Sequence, residues 1–198
     1  MKTPLILVGC GGHARSLIDV IESLQEWSII GLIGRQSEVG HTILGYQCIG
    51  TDRDLVELKS HCQHACIGVG QIGRCTSRGD LIQRLTALEF SFPSLISRYA
   101  YVSQHASLGM GVTVGHGAVI NAGATIGIHS IVNSRALVEH DAMIGERCHI
   151  STGALINGGV KIGDDSFLGS GVMIRDNLHL PSHTVISAGK RVMGWPLR

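Results

Sequence analysis

Aromatic residues, charge and long apolar runs are all scarce in this 198-residue sequence, and each scarcity closes off a class of function. Phe, Trp and Tyr make up only 4% of it, too few to build stacking platforms for nucleic-acid bases. The formal net charge is +1 and no basic run occurs, so no surface for a polyanion is expected. The apolar run that begins at Leu5 is too short for the core of an export signal and far too short to cross a bilayer. A cytoplasmic location without membrane partners is the expectation. The cysteines (Cys10, Cys48, Cys62, Cys66, Cys75 and Cys148) form no Cys-x-x-Cys pair. Cys62 and Cys66 stand beside His61 and His64, which are metal-ligand types. No second ligand pair follows at zinc-finger spacing, so the expectation is loose thiols in a reducing compartment and no metal.

What the sequence has in quantity is glycine, 27 residues, and much of it is periodic. From residue 96 onward every sixth position is Ile, Leu or Val: Ile96, Val102, Leu108, Val114, Ile120 and so on to Val192, seventeen in succession without an insertion. The residue two before each is usually small, as at Ala118, Ala124, Ala136, Ala142, Cys148 and Ala154. The residue after is often Gly, as at Gly109, Gly115, Gly127, Gly145 and Gly163. A six-residue period matches neither an α-helix nor a hairpin strand, but it fits a solenoid whose unit is one short strand and one corner. The aliphatic residue and the small one two before it then face inward, and Gly or Asn take the tight corner. Three hexads close a triangular coil of 18 residues. The pattern resembles the hexapeptide-repeat acyltransferases, and that resemblance supplies a left-handed parallel β-helix.

Residues 1–91 obey another grammar. Leu5 to Val8 reads as a buried parallel strand, Gly9 to Ala14 as a glycine turn, and Arg15 to Ser23 as a helix with Leu17, Ile18 and Ile21 on one face. Ile29 to Ile33 is a second strand and Ala65 to Val69 a third. Asp52 is expected to cap a helix through Leu58, and Asp80 to Leu88 to lie on a third helix. Alternating strands and helices imply a Rossmann-like βαβ domain over 1–91, joined to the β-helix domain over 92–198. Gly9-x-Gly11-x-x-Ala14 matches a dinucleotide fingerprint, which sets a phosphate on N–H groups at a helix N-terminus. A nicotinamide cofactor also wants a carboxylate after the second strand, where this chain has Gly34-Arg35. A phosphate-bearing substrate at the turn, or a turn that simply needs glycine, are the readings left.

The histidines are the second clue. In the repeat register His140, Asp141 and His149 occupy outward positions, and the residues one coil below and above His140 are Ala122 and Gly158, which leave room over the imidazole. His105, His116, His129, His179 and His183 read as solvated surface residues. The stretch Val138-Glu139-His140-Asp141 through Cys148-His149-Ile150-Ser151 resembles the catalytic coil of the sialic acid O-acetyltransferase and bacillosamine-type sugar N-acetyltransferase family (NeuD/PglD type). The likeness spans the Gly-x-Gly-Gly-His turn, the short βαβ domain, the uninterrupted prism and the closing Gly194-Trp195-Pro196-Leu197.

That resemblance implies an acetyl-CoA-dependent sugar acetyltransferase of bacterial surface-glycan biosynthesis, active as a homotrimer. It makes His140 the general base, Asp141 its orienting carboxylate and His149 a hydrogen-bonding partner of acetyl-CoA near the thioester. Ser170 and Ala188 fall to the pantetheine arm. Gly11, Gly12, His13 and Gly70 fall to the nucleotide-sugar acceptor, and Arg35, standing where family members usually carry an acidic pair, meets a phosphate, marks a different nucleotide or marks an acceptor that is not a nucleotide sugar. The acceptor is expected to be an amine, with O-acetylation of a sialic acid as the alternative. A non-catalytic binding protein and a γ-carbonic-anhydrase-like metalloenzyme are the remaining rivals. The second of these needs two zinc-binding histidines close together on one coil, whereas His140 and His149 leave different faces.

Overall fold

A computed structural model describes residues 1–71 and 77–196, so Cys75 and Leu197 lie outside the described residues. Two compact units result, residues 1–70 with 77–93, and residues 94–196 with Gln71.

The first unit is built on a sheet in the order β3-β4-β2-β1-β5. Strand β1 (Thr3–Val8) pairs in parallel with β2 (Trp27–Ile33) and β5 (Ala65–Ile67). Its Leu5, Ile6 and Leu7 are fully buried, the run of apolar residues that a central strand covered on both faces requires. Helix α1 (Gly12–Leu24) buries Ala14, Leu17, Ile18 and Ile21 and stops at Gln25, whose φ of 58° ends the helical path. Helices α2 (Leu55–His61) and α3 (Ser77–Ala87) follow.

Three details differ from the sequence reading. The segment expected to start at Asp52 begins with a 3₁₀ turn, Asp52–Asp54, capped by Thr51. The Thr51 hydroxyl accepts from Arg53 N at 3.3 Å and Asp54 Oδ2 accepts from Thr51 N at 2.7 Å, so the capping side chain lies one residue earlier. The third strand ends at Ile67, not Val69. A hairpin of β3 (Thr42–Ile43) and β4 (Tyr46–Gly50) extends the sheet, turning at Leu44 and Gly45 with φ of 48° and 88°. Leucine at the first left-handed position hides this turn, where Asn-Gly would have announced it.

The second unit is the solenoid. Seventeen two-residue strands, β6 (Leu95–Ile96) to β22 (Arg191–Val192), recur every six residues and stack in parallel into three sheets. Each strand pairs with the one 18 residues on, as Val138 does with Ile156 and Ile156 with Ile174. The aliphatic and small positions form one continuous core, with Ala118, Ile120, Ala124, Val138, Ala142 and Ile156 all fully buried. This is the prism of a left-handed parallel β-helix.

Its corners need correction. The left-handed backbone falls three residues after the aliphatic position, at every sixth residue from Gly111 to Gly189, and Asp141, Arg147 and Asn177 share that conformation with the glycines there. Glycine directly after the aliphatic residue answers to space. A Cβ on Gly109 would come within 2.8 Å of Ile128 N, and one on Gly127 would overlap the Gly145 carbonyl. At these glycines the next coil approaches too closely for a side chain.

Candidate active site

Strand β13 (Leu137–Val138) leads into the corner that carries His140 and Asp141. His140 Nδ1 lies 2.9 Å from Asp141 Oδ2. A carboxylate only accepts, so Nδ1 holds the hydrogen and Nε2 keeps its lone pair whenever the ring is neutral. Asp141 sits at the left-handed corner position with φ of 59°, which Asp tolerates better than most residues. Glu139 Oε2 accepts from Asn121 Nδ2 at 2.9 Å and from His140 N at 3.2 Å, tying the loop to the coil below. The bond to Asp141, together with the charges of Asp141, Glu139 and Asp176, raises the pKa of His140 above the ordinary histidine value.

Glycines flank the pair. A Cβ on Gly123, one coil below, would overlap Asp141 Oδ1, and a Cβ on Gly158, one coil above, would lie 2.7 Å from both Cε1 and Nε2 of His140. Nε2 therefore faces a notch that exists because residue 158 has no side chain. The neighbour above His140 is glycine, as the sequence shows, and the edge of the imidazole lies against it.

His149 departs from expectation. It lies on the outward side of β15 (His149–Ile150) but is only 7% exposed. Its Nδ1 is 2.6 Å from the Gln71 carbonyl, which fixes the hydrogen on Nδ1, and its Nε2 is 3.3 Å from Asn133 Nδ2, from which it accepts. Asn133 Oδ1 accepts from Ser134 N at 2.7 Å, which orients the amide, and Phe167 meets the imidazole edge-on at 5.5 Å. The ring does not project into solvent because Gln71, distant in sequence, covers it. Asn133, which the sequence reading did not single out, is a further candidate at this site because it bonds His149. Its only signal was its place one coil before Ser151, beside the histidine strand.

Ser170 and Ala188 are exposed and stacked on consecutive coils, with Gly189 N donating to Ser170 O at 2.9 Å. They occupy the corner after the His149 face, whereas His140 occupies the next corner along the chain. One copy of the prism thus presents two separate groups, His140 with Asp141 and His149 with Ser170 and Ala188. Of the remaining histidines, His105, His179 and His183 are exposed. His129 and His116 are corrections: His129 is only 2% exposed at a corner with φ of 56°, and His116 Nδ1 is held 2.6 Å from Ser97 Oγ.

In the first unit, the glycine turn joins β1 to α1. Gly9 is fixed by the fold, with φ of 126° and the Gly68 carbonyl carbon 2.8 Å from where a Cβ would be. Gly11 and Gly12 are not, since a Cβ on either would meet nothing within 4 Å. Gly11 caps α1 without a side-chain hydrogen bond. His13 is half-buried, and a Cβ on Gly70 would touch its Cβ at 3.5 Å.

Arg35 is engaged with Glu38, its Nη2 2.8 Å from Oε1, while Glu38 Oε2 accepts from Arg35 N at 2.8 Å. A Cβ on Gly34 would lie 2.9 Å from Glu38 Oε2. The end of β2 thus does hold a carboxylate, returned by a 3₁₀ turn over Gln36–Glu38, although the sequence there reads Gly34-Arg35. Arg78, on α3, reaches the end of β5 and donates from Nη1 to the carbonyls of Ile67 and Val69 at 3.0 and 2.6 Å, and burial lowers its pKa to about 10. Cys62 and Cys66 are buried, with Sγ atoms directed at the carbonyls of His64 and Ile6, so both serve the core. Among the described residues no group of three or more His, Cys, Asp and Glu is placed to hold a metal ion.

Comparison with known proteins gives two matches to family profiles: a PglD N-terminal domain over residues 4–85, and bacterial transferase hexapeptide repeats over residues 141–176. No curated protein is a close enough match in sequence to count as a relative. Among solved structures, a histidine-to-asparagine variant of perosamine N-acetyltransferase from Caulobacter crescentus, in complex with CoA and GDP-perosamine, is 27% identical with a TM-score of 0.91. The match covers 98% of this chain and 90% of that one. The acetyltransferase domain of PglB from Neisseria gonorrhoeae, in complex with acetyl coenzyme A, is 28% identical over 97% of this chain and 93% of that one, with a TM-score of 0.86. WeeI from Acinetobacter baumannii, at 19% identity and a TM-score of 0.74 over 99% of both chains, shares the fold. With a PglD-type N-terminal domain, hexapeptide transferase repeats behind it and these neighbours along nearly its whole length, the chain is an acyltransferase built like the PglD-type sugar N-acetyltransferases.

Proposed function

We propose that this protein transfers the acetyl group of acetyl-CoA to the amino group of a nucleotide-linked amino sugar, with His140 as general base and Asp141 as its orienting carboxylate. The observation that carries this reading is the 2.9 Å bond that places the hydrogen of His140 on Nδ1 and leaves Nε2 facing the notch at Gly158. A base positioned there takes a proton from the acceptor nitrogen as that nitrogen attacks the thioester carbon. The carbon–sulfur bond breaks, and the imidazolium, stabilised by Asp141, returns the proton to the departing thiolate. The CoA and GDP-perosamine held by the Caulobacter relative, and the acetyl coenzyme A held by the Neisseria one, support the same pair of substrates.

His149, Ser170 and Ala188 serve the acetyl-CoA arm in this reading. With the His149 hydrogen given to Gln71, Asn133 is the donor able to reach a thioester oxygen beside it. Gly11, Gly12, His13 and Gly70 form the surface for the phosphates of the acceptor. The Arg35–Glu38 pair stands at the end of β2 for its nucleoside.

The reading includes a homotrimer in the cytoplasm. Tyr101, Val119, Leu137, Leu155 and Met173 line the outward side of one prism face, with Tyr101 58% and Leu155 38% exposed. That apolar face runs into the His140 corner, so a second copy packed on it would close over the dyad and bring its own acetyl-CoA residues near. The test is a thiol-release assay with acetyl-CoA against UDP-, dTDP- and GDP-linked 4-amino sugars and free sialic acid, with product mass recorded. One N-acetylated amino sugar is the expected product. Turnover of sialic acid alone would overturn the amine assignment.

A further inference from the structure

The corner that carries His140 continues upward through Gly158-Gly159 on the next coil to Asp176-Asn177 on the one after. Val138 pairs with Ile156 and Ile156 with Ile174, so His140, Gly158 and Asp176, each two residues further on, fall in one column. Stacked strand layers are ~4.8 Å apart, which puts the backbone of Asp176 about 9.6 Å above that of His140. The level between them carries no side chain. Nε2 of His140 borders this gap, 2.7 Å from where a Cβ on Gly158 would be.

The fold gives no reason for a carboxylate at position 176. The left-handed corner residue is Asn177, which holds the coil through Asn177 N donating to Gly158 O at 2.9 Å. Asp176 is exposed and makes no hydrogen bond or ion pair with the described residues, yet its charge is felt by His140. Two hydrogen-bond acceptors thus share this column, Nε2 of His140 below the side-chain-free level and the carboxylate of Asp176 on the coil above it. A hydroxyl has one hydrogen and serves one of them. An amino group has enough hydrogens for both and still has a lone pair to direct at a thioester.

We propose that Asp176 is a specificity-determining residue of this site: its carboxylate accepts one N–H of the acceptor amino group while His140 Nε2 accepts another, selecting an amine over a hydroxyl. The inference rests on the acetyl-transfer reading above. The amine arrives as the ammonium form, docked against Asp176, and gives one proton through His140 to water. The neutral amine then attacks, the nitrogen–carbon bond forms, the carbon–sulfur bond breaks, and a second proton passes from nitrogen through Nε2 to the thiolate. Asp176 keeps its charge throughout.

The experiment is steady-state kinetics of wild type, Asp176→Ala and Asp176→Asn with acetyl-CoA. The acceptor is the nucleotide-linked amino sugar that wild type turns over, compared with the same sugar bearing hydroxyl in place of amine. Loss of a charge-assisted bond predicts an acceptor KM raised about 10- to 100-fold in Asp176→Ala, with kcat within about threefold and the KM for acetyl-CoA unchanged. The preference for amine over hydroxyl falls by a similar factor. Asp176→Asn, which keeps an acceptor oxygen but no charge, lies between. The acidic limb of kcat/KM moves to lower pH in both variants, because Glu139 and Asp141 alone then hold the proton on His140. An active wild type with variants whose acceptor KM stays within twofold and whose pH profile does not move would overturn the role of Asp176 alone. A wild type silent on every amino sugar would instead overturn the reading beneath it.

Discussion

Glycines crowd both the first turn of the N-terminal unit and the His140 corner of the prism, but for opposite reasons. At the corner, Gly123 and Gly158 are hemmed in, the first by the carboxylate of Asp141 and the second by the ring of His140. At the turn, Gly11 and Gly12 have nothing within 4 Å of where a side chain would start, and Gly11 has a φ of −87° that any residue adopts. A crowded glycine is explained by what it touches. An uncrowded one with ordinary backbone has no explanation inside the fold, and it marks a surface that something else approaches. The proposed roles follow that contrast: reacting groups at the corner, and binding of the acceptor's phosphates at the turn.

The sharpest break in this contrast is His140→Ala, which removes the base and leaves both sets of glycines. It should lower kcat about 10²- to 10⁴-fold, with the circular dichroism and oligomeric state of wild type. A loss below tenfold would mean that the base lies elsewhere. Gly158→Ala comes next. Its new Cβ would lie 2.7 Å from the imidazole edge and must displace the ring, so kcat should fall roughly 10- to 100-fold with little change in the acceptor KM. Asp141→Asn keeps the size of the side chain and removes the charge that holds the proton on His140. About tenfold loss of kcat is expected at neutral pH, with the acidic limb of the pH profile displaced downward. Gly11→Ala should do least to the chemistry. Its acceptor KM should rise several-fold at constant kcat, and its melting temperature should hold or rise slightly because the unfolded chain loses freedom. Gly158→Ala and Gly11→Ala giving the same kinetic pattern would erase the distinction between the two regions.

How legible each region was in the sequence follows from the range of the interactions that shape it. In the prism every strand position is set by neighbours six and 18 residues away, so a strict period revealed the strands, the inward residues and the notch at Gly158. The corner backbone was misplaced because two kinds of glycine, one needed for φ and one for space, alternate along the same coil. His149 was read as projecting outward because its cover, the Gln71 carbonyl, is 78 residues away in the chain and belongs to no repeat. The N-terminal unit lacks a period, and its errors are local. A leucine at φ of 48° hid the β3–β4 hairpin, Thr51 rather than Asp52 capped the 3₁₀ turn, and Glu38 folded back to supply the carboxylate that Gly34-Arg35 appeared to omit.

The most direct measurement of the account is kcat/KM against pH for wild type and His140→Ala, with acetyl-CoA and the amino sugar that wild type turns over. His140 must lose its proton to act, and Asp141, Glu139 and Asp176 all favour keeping it. Wild type should therefore show a single-proton acidic limb above the ordinary histidine value of about 6.5, and the variant should lose that limb along with most of its rate. A limb that persists unchanged in His140→Ala would contradict the assignment of the base.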